Sequence, residues 1–196
     1  MQQSISRKIS IGAKQIVVFD NLFPSDEVKK LYQFVARLPY QFNEVASPET
    51  KHILHWAANL PLPIAKGTPI LNKCVELARE FYTDRPLELR RLYVNSSHYG
   101  EIAYAHIDAE KGVTALYYAN AEWHERWGGE TVFYDDDQEP VNVVAPKPGR
   151  LALFHSSILH RGGIPSRDCS QARLTVAFKL AHVLDRVDPR AASHID

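Results

Sequence analysis

Val28, Leu31, Tyr32 and Val35 recur at i, i+3, i+4 and i+7 in FPSDEVKKLYQFVARL, the single apolar stripe of an amphipathic helix. Ser25 reads as its N-cap, with Asp26 and Glu27 in the first turn, where the positive end of the helix dipole favours carboxylates. TPILNKCVELAREFY predicts a second helix, with Thr68 as N-cap and Pro69 at the first helical position. Its apolar face is Leu71, Cys74, Val75, Ala78 and Tyr82. Ahead of the first helix, QIVVFD (15–20) is a short strand of β-branched and aromatic residues, preceded by a frayed start. The connection between the helices, roughly 40–67, contains Pro48, Pro61, Pro63 and Gly67 and is expected to be a long functional loop. From Leu87 the period shortens. LELRRLYVN, GVTALYYAN, ETVFYD, VNVVA, RLALFH and RLTVAFKL are strand-like runs broken by Gly, Pro, Asn and Asp. The pattern predicts an α+β, mainly β fold in which two helices pack on one sheet of a β-sandwich. One domain over 1–196 accounts for it, with its core at about 87–181.

Composition narrows the partners. The chain has 196 residues, with Lys plus Arg and Asp plus Glu both at 23. Such a balance offers no electrostatic footprint for nucleic acid or an anionic membrane. The two cysteines, Cys74 and Cys169, have neither metal-site spacing nor the density of a disulfide scaffold. MQQSISRKISIGAKQ lacks the apolar core of a secretory signal, so a cytoplasmic location is expected. Nothing in the sequence fixes an oligomeric state.

The chemistry lies in three short segments. In YAHIDAEKG, read as a strand, His106 and Asp108 face the same way about 6.6 Å apart, with Ile107 turned into packing. A buried hydrogen-bonded pair would give the same triplet. GRLALFHSSILHRGG places His160 just past an apolar strand and before a double glycine. In QARLTVAFKL, Leu174, Val176 and Phe178 share one face, and Arg173 and Thr175 the other. An arginine inside a core strand is costly unless it meets an anion. Exposure at the strand's start is the alternative. Taken together, two imidazoles and a carboxylate suit an octahedral Fe(II) with three open positions, and an arginine suits a carboxylate held bidentately.

In order and spacing, YGEIAYAHID, TALYYAN, WGGETVFY, PKPGRLALFHSSILHRGG and ARLTVAFKL resemble the 2-oxoglutarate/Fe(II)-dependent oxygenase superfamily, in its prolyl 4-hydroxylase-like branch. VVFDNLFPSDEVKKLYQFV resembles that family's lead-in strand and helix, so the resemblance spans about 16–181. It implies a double-stranded β-helix, a jelly-roll or cupin-like core. Fe(II) would be held by His106, Asp108 and His160, and His155 is the alternative third ligand. Arg173 would bind the distal carboxylate of 2-oxoglutarate, with Thr175 and Tyr118 beside it, Thr114 in the same pocket and Tyr99 near the cosubstrate. The implied activity is a dioxygenase that hydroxylates a C–H bond with O2 and releases succinate and CO2, with ascorbate as a candidate reductant. A carboxylate at position 108 argues against the halogenating branch.

The substrate expected is a small or amino-acid-like molecule, enclosed by a lid over 40–67 that carries His52, His55 and Trp56. The alternatives are a peptidyl-prolyl or protein hydroxylase and a non-catalytic, cupin-like 2-oxoglutarate binder. Desaturation, epimerisation and ring formation share the same ligand set. Trp123 and Trp127 are read as structural, and DDD (135–137) as a hairpin tip.

Overall fold

The computed structural model describes residues 5–45, 51–81 and 85–183. In chain order these form β1 (Ile5–Ile11), β2 (Lys14–Phe19), α1 (Ser25–Val35), β3 (Gln41–Glu44), β4 (His55–Asn59), α2 (Pro63–Gly67) and α3 (Pro69–Phe81). There follow β5 (Leu87–Ser97), β6 (Val113–Tyr118), a 3-10 turn (Glu125–Trp127), β7 (Thr131–Tyr134), β8 (Pro140–Val144), β9 (Leu151–His155), β10 (His160–Arg161) and β11 (Arg173–His182). An eight-stranded antiparallel sheet runs β1-β2-β9-β6-β11-β5-β4-β3, and a three-stranded one runs β10-β7-β8.

Strand alternation sorts the core into two layers. Val113, Ala115 and Tyr117 of β6, with Leu174, Val176 and Phe178 of β11, face α1 and α3. Their neighbours Leu116, Tyr118 and Ala177 turn instead toward Phe133 and Val144 of the small sheet. The result is the expected jelly roll with helices covering the outer face of its large sheet. Val28, Leu31 and Val35 of α1 are buried, with Tyr32 packed at their edge, as the periodicity requires. Ser25 is not the cap, however. Pro24 takes that position, with extended backbone and a carbonyl that accepts the first helical bond from the Val28 amide at 3.1 Å. The second helix starts at Pro69 as predicted, and the Asn72 amide bonds the Thr68 carbonyl at 2.8 Å. Tyr82 of its expected face lies outside the described residues.

Two further expectations need correction. The start is not frayed from Ile5 onward, because β1 pairs with β2 over Ile5–Ile11. Nor is 40–67 a structureless loop. β3 and β4 pair with each other, β4 docks on β5, and α2 fills much of the remainder, while Pro48 lies outside the described residues. Exposed Phe42 and Trp56 stack across this hairpin at 5.1 Å, a cross-strand aromatic pair that helps fix the register. No helix among the described residues is long and apolar enough to cross a membrane.

Asp20, just past β2, is tied to Arg150 before β9 by two bonds of 2.6 and 2.8 Å, and Arg150 also donates to the Ala145 carbonyl at 2.7 Å. The Arg150 hydrogen bonds hold the Asp20 carboxyl below its ordinary 3.8. A depressed carboxyl pKa contributes stability that is complete above the unfolded value and is lost as pH falls through the folded one. Asp20→Asn is therefore expected to cost about 1–3 kcal/mol at neutral pH, as for a charged hydrogen bond of this kind. In urea titrations the gap from the parent protein should close as pH drops below 3.8. A gap independent of pH would assign the loss to packing rather than charge.

Candidate metal centre and anion pocket

His106 and Asp108 do not lie on a strand, contrary to the sequence reading. The segment from Gly100 to Gly112 is irregular, and it is held by the Asp108 amide on the Ser156 carbonyl at 2.9 Å and by a two-way bridge between His106 and His160 at 2.9 and 3.0 Å. Ile107 is 39 % exposed rather than packed. At Gly112, φ is +116°, and a Cβ there would lie 2.3 Å from the Leu180 carbonyl oxygen, so the turn that returns the chain to β6 requires glycine. The convergence inferred for the pair holds all the same, achieved by docking on the His160 segment rather than by strand parity.

The donor atoms of His106, Asp108 and His160 lie within 4.8 Å of one another. His106 Nε2 is 3.5 Å from Asp108 Oδ1, and His160 Nε2 is 3.6 Å from Asp108 Oδ2. Both imidazoles have Nδ1 against a backbone carbonyl, Tyr104 at 3.1 Å and Ile158 at 2.9 Å. A carbonyl only accepts, so Nδ1 carries the proton and each Nε2 lone pair is free for a ligand. Burial pushes the His160 pKa down to about 4 against the pull of Asp108, which keeps the ring neutral. Burial would raise the Asp108 carboxyl, but Lys179 and then His160 hold it well below the usual carboxylate range. Two imidazoles and a carboxylate are a fitting donor set for a divalent first-row ion.

Asp108 is further fixed by Thr114 Oγ1 at 2.5 Å and Lys179 Nζ at 2.5 Å, both on Oδ2. Thr114 also contacts Ser156 Oγ at 3.2 Å. Thr114 thus lies in the pocket as expected, but its partner is the carboxylate of the triad. His155 is elsewhere. Its Nδ1 meets the Gln15 backbone and its ring meets Phe81, so the alternative ligand is outside the cluster.

A cavity of about 310 Å³ joins the triad to Arg173 at one end and to Arg91, Tyr93 and Lys179 at the other. Arg173 is 2 % exposed, donating from Nε to the Gly129 carbonyl at 2.7 Å and from Nη2 to Thr131 Oγ1 at 2.9 Å. Burial lowers its pKa, and no described carboxylate forms an ion pair with it. Thr175 lines the cavity beside it. Tyr118 does not. Its hydroxyl meets Thr131 Oγ1 at 2.7 Å and donates to the Val144 carbonyl at 3.0 Å, with the Arg173 guanidinium 5.3 Å from its ring centroid. Thr131 is interposed between Tyr118 and the cavity, so Tyr118 supports the anion end from behind. Tyr99 is 64 % exposed in a turn and is not part of the cavity wall.

The double glycines hold this end together. A Cβ at Gly163 would lie 2.3 Å from the Glu130 carbonyl oxygen, and one at Gly129 would lie 3.0 Å from Arg173 Cδ. The segment after His160 therefore packs backbone to backbone on the turn that receives Arg173. Trp123 and Trp127 stack edge to face over that turn, and Trp123 donates to the Gly128 carbonyl, as a structural pair. At the mouth, Glu44, Val45, His55 and Trp56 of the hairpin line the cavity, whereas His52 does not.

Residues 93–179 match the 2OG-Fe(II) oxygenase superfamily. Among solved structures, a Pseudomonas putida prolyl-4-hydroxylase superposes with a TM-score of 0.62 at 16% identity, covering 85% of this chain and 92% of that one. A Trichoplax adhaerens prolyl hydroxylase in complex with a hypoxia inducible factor peptide fragment gives 0.60 at 16%, covering 85% and 83%. HygX from Streptomyces hygroscopicus, with nickel, 2-oxoglutarate and hygromycin B bound, gives 0.62 at 14%, covering 86% and 83%. At such identities the likeness is one of fold. No curated protein sequence matches the chain.

Proposed function

Because residues 93–179 belong to the 2OG-Fe(II) oxygenase superfamily, we propose that this chain hydroxylates a C–H bond of a small, amino-acid-like molecule, consuming 2-oxoglutarate and O2 and releasing succinate and CO2. The observation that carries the residue roles is the pairing of two half-sites in one cavity. The His106, Asp108 and His160 donors converge in it, and Arg173, a buried cation with no ion pair among the described residues, closes one end.

His106, Asp108 and His160 would hold Fe(II), which supplies O2 activation coupled to decarboxylation of the cosubstrate. The carbonyls of Tyr104 and Ile158 orient the two imidazoles, and Thr114 and Lys179 orient the carboxylate. Arg173 would receive the distal carboxylate of 2-oxoglutarate. Its Nε is taken by Gly129, so the guanidinium is presented in one fixed attitude. Burial of Arg173, Thr131 and Thr175 keeps water from that end and strengthens the charge pairing.

Cavity size supports a small substrate. Some 310 Å³ lies at the lower limit of small-molecule sites, and cosubstrate takes part of it. The Arg91–Glu44 pair at the mouth, with bonds of 2.8 and 2.7 Å, is a polar wall suited to a compact polar molecule. The test is anaerobic binding of Mn(II) and 2-oxoglutarate, followed by coupled succinate formation with small acids, amino acids and proline-containing peptides. Succinate formed on small molecules supports the reading. Turnover confined to long peptides overturns the substrate class, and tight cosubstrate binding with no turnover on any compound would leave a 2-oxoglutarate binder.

A further inference from the structure

Lys179 stands on the same face of β11 as Arg173 and Thr175, opposite Arg91 on β5 and Thr114 on β6. Its ammonium meets Asp108 Oδ2 and lies 5.7 Å from the Tyr93 ring centroid, and 22 % of its side chain stays accessible. A lysine has three donors. With one on Asp108 and the ring of Tyr93 beside it, a donor remains for a guest in the cavity.

The charges that line the cavity are unequal in number. Arg91, Arg173 and Lys179 are cations, and Glu44 and Asp108 are carboxylates. Arg91 is matched by Glu44 through two bonds and stacks over Tyr93 at 4.2 Å. On the oxygenase reading, a divalent ion and a doubly negative cosubstrate cancel each other. Arg173 faces the cosubstrate and Asp108 faces the metal. Asp108 is shared between the metal and Lys179, so the wall carries one positive charge more than its carboxylates balance, and Lys179 is the lining cation with a donor to spare. Uncompensated charge in a partly desolvated cavity is unfavourable and is relieved by an anion of opposite unit charge.

We propose that the primary substrate is a small carboxylic acid whose carboxylate seats on Lys179, which makes this lysine a specificity-determining residue. The proposal rests on the oxygenase reading of the site. A single surplus charge selects a monoanion such as a carboxylate over a phosphate dianion. Because Lys179 touches a triad residue, the carbon that reacts lies close to that carboxylate in the substrate. A substrate amide would replace a charged acceptor with a neutral one and leave the surplus charge of the wall unbalanced.

The experiment uses the intact protein loaded anaerobically with Mn(II) and 2-oxoglutarate. It is titrated with the twenty protein amino acids and with monocarboxylic acids of two to six carbons, each against its primary amide. Water-proton relaxation of Mn(II) and the thermal midpoint report occupancy. The expected result is at least one acid that acts at a tenfold or more lower concentration than its amide, with that ratio falling to near one in Lys179→Met. The ratio is the decisive readout, because a merely structural defect would lower acid and amide together. Amides that match their acids, a ratio that survives in Lys179→Met, or a loaded cavity that admits no acid of the panel overturns the proposal. The acid-to-amide comparison in the parent protein stands even where Lys179→Met fails to fold. Failure of the parent protein to take up Mn(II) and 2-oxoglutarate would instead sink the oxygenase assignment of the residues.

Discussion

Alanine at His106, Asp108 or His160 is expected to abolish substrate-dependent succinate release and to weaken Fe(II) or Mn(II) binding by at least roughly 100-fold, since each removes a donor rather than a neighbour of one. His155→Ala should leave metal binding intact, because its ring lies against Gln15 and Phe81 on the helix side of the sheet. The three replacements should differ in stability. His106 is the most accessible of the triad, with 19 % of its side chain exposed, and its replacement should cost the least stability. Asp108→Ala strips the half-buried Lys179 of its carboxylate and leaves Thr114 only Ser156 as a partner, so its thermal midpoint should fall furthest. Asp108→Asn keeps the shape and separates the metal effect from the fold. Equilibrium dialysis with Mn(II) reads the outcome directly. Loss of metal in His155→Ala with retention in His160→Ala would overturn the ligand set.

The second large effect concerns the cosubstrate. Arg173→Leu should raise the 2-oxoglutarate requirement by roughly 2–4 kcal/mol, the usual result of truncating one partner of a buried charge pair. That corresponds to about 30- to 1,000-fold in concentration. Arg173→Lys keeps the charge and loses the fork, and it also forfeits either the Gly129 or the Thr131 bond, so it should recover only part of the loss. Tyr118→Phe keeps the ring beside Arg173 and removes only the hydroxyl that shares Thr131 with it, so its effect should be smaller and in the same direction. Metal affinity should be spared throughout this series. An unchanged 2-oxoglutarate requirement in Arg173→Leu would place the anchor elsewhere.

Much of this architecture is legible in the sequence, for identifiable reasons. Helices with a clean stripe and strands with clean alternation announce themselves, and parity along RLTVAFKL puts Arg173 and Thr175 opposite Leu174 and Val176, as the structure does. The same parity continues to Lys179, yet at the end of the run the lysine reads as a surface residue without knowledge of its partner Asp108. Depth is what parity omits. Thr114 and Tyr118 share a face of β6, but whether each reaches the cavity depends on Thr131 from the other sheet. Tyr93 and Arg91 sit on alternate positions of an ordinary-looking strand, and only pairing with β11 shows that they face Ala177 and Lys179. The β3–β4 hairpin escaped because prolines and polar residues mask two short strands, one of which gains its stability from the edge of β5 rather than from its own pattern.

The contact between Gly163 and the Glu130 carbonyl has a consequence for how the chain tolerates changes in length. The two segments it joins, 128–131 and 160–165, carry the distal histidine and the acceptors of Arg173, and they meet with no side chain between them. One residue inserted in either would lift the histidine and the arginine out of register together. The β7–β8 tip is different, because its turn is closed by Asp135 accepting from the Asp137 and Glu139 amides, away from the cavity wall. Fusions, tags and loop grafts therefore belong at 135–139, and the two glycine segments should be left at their present length.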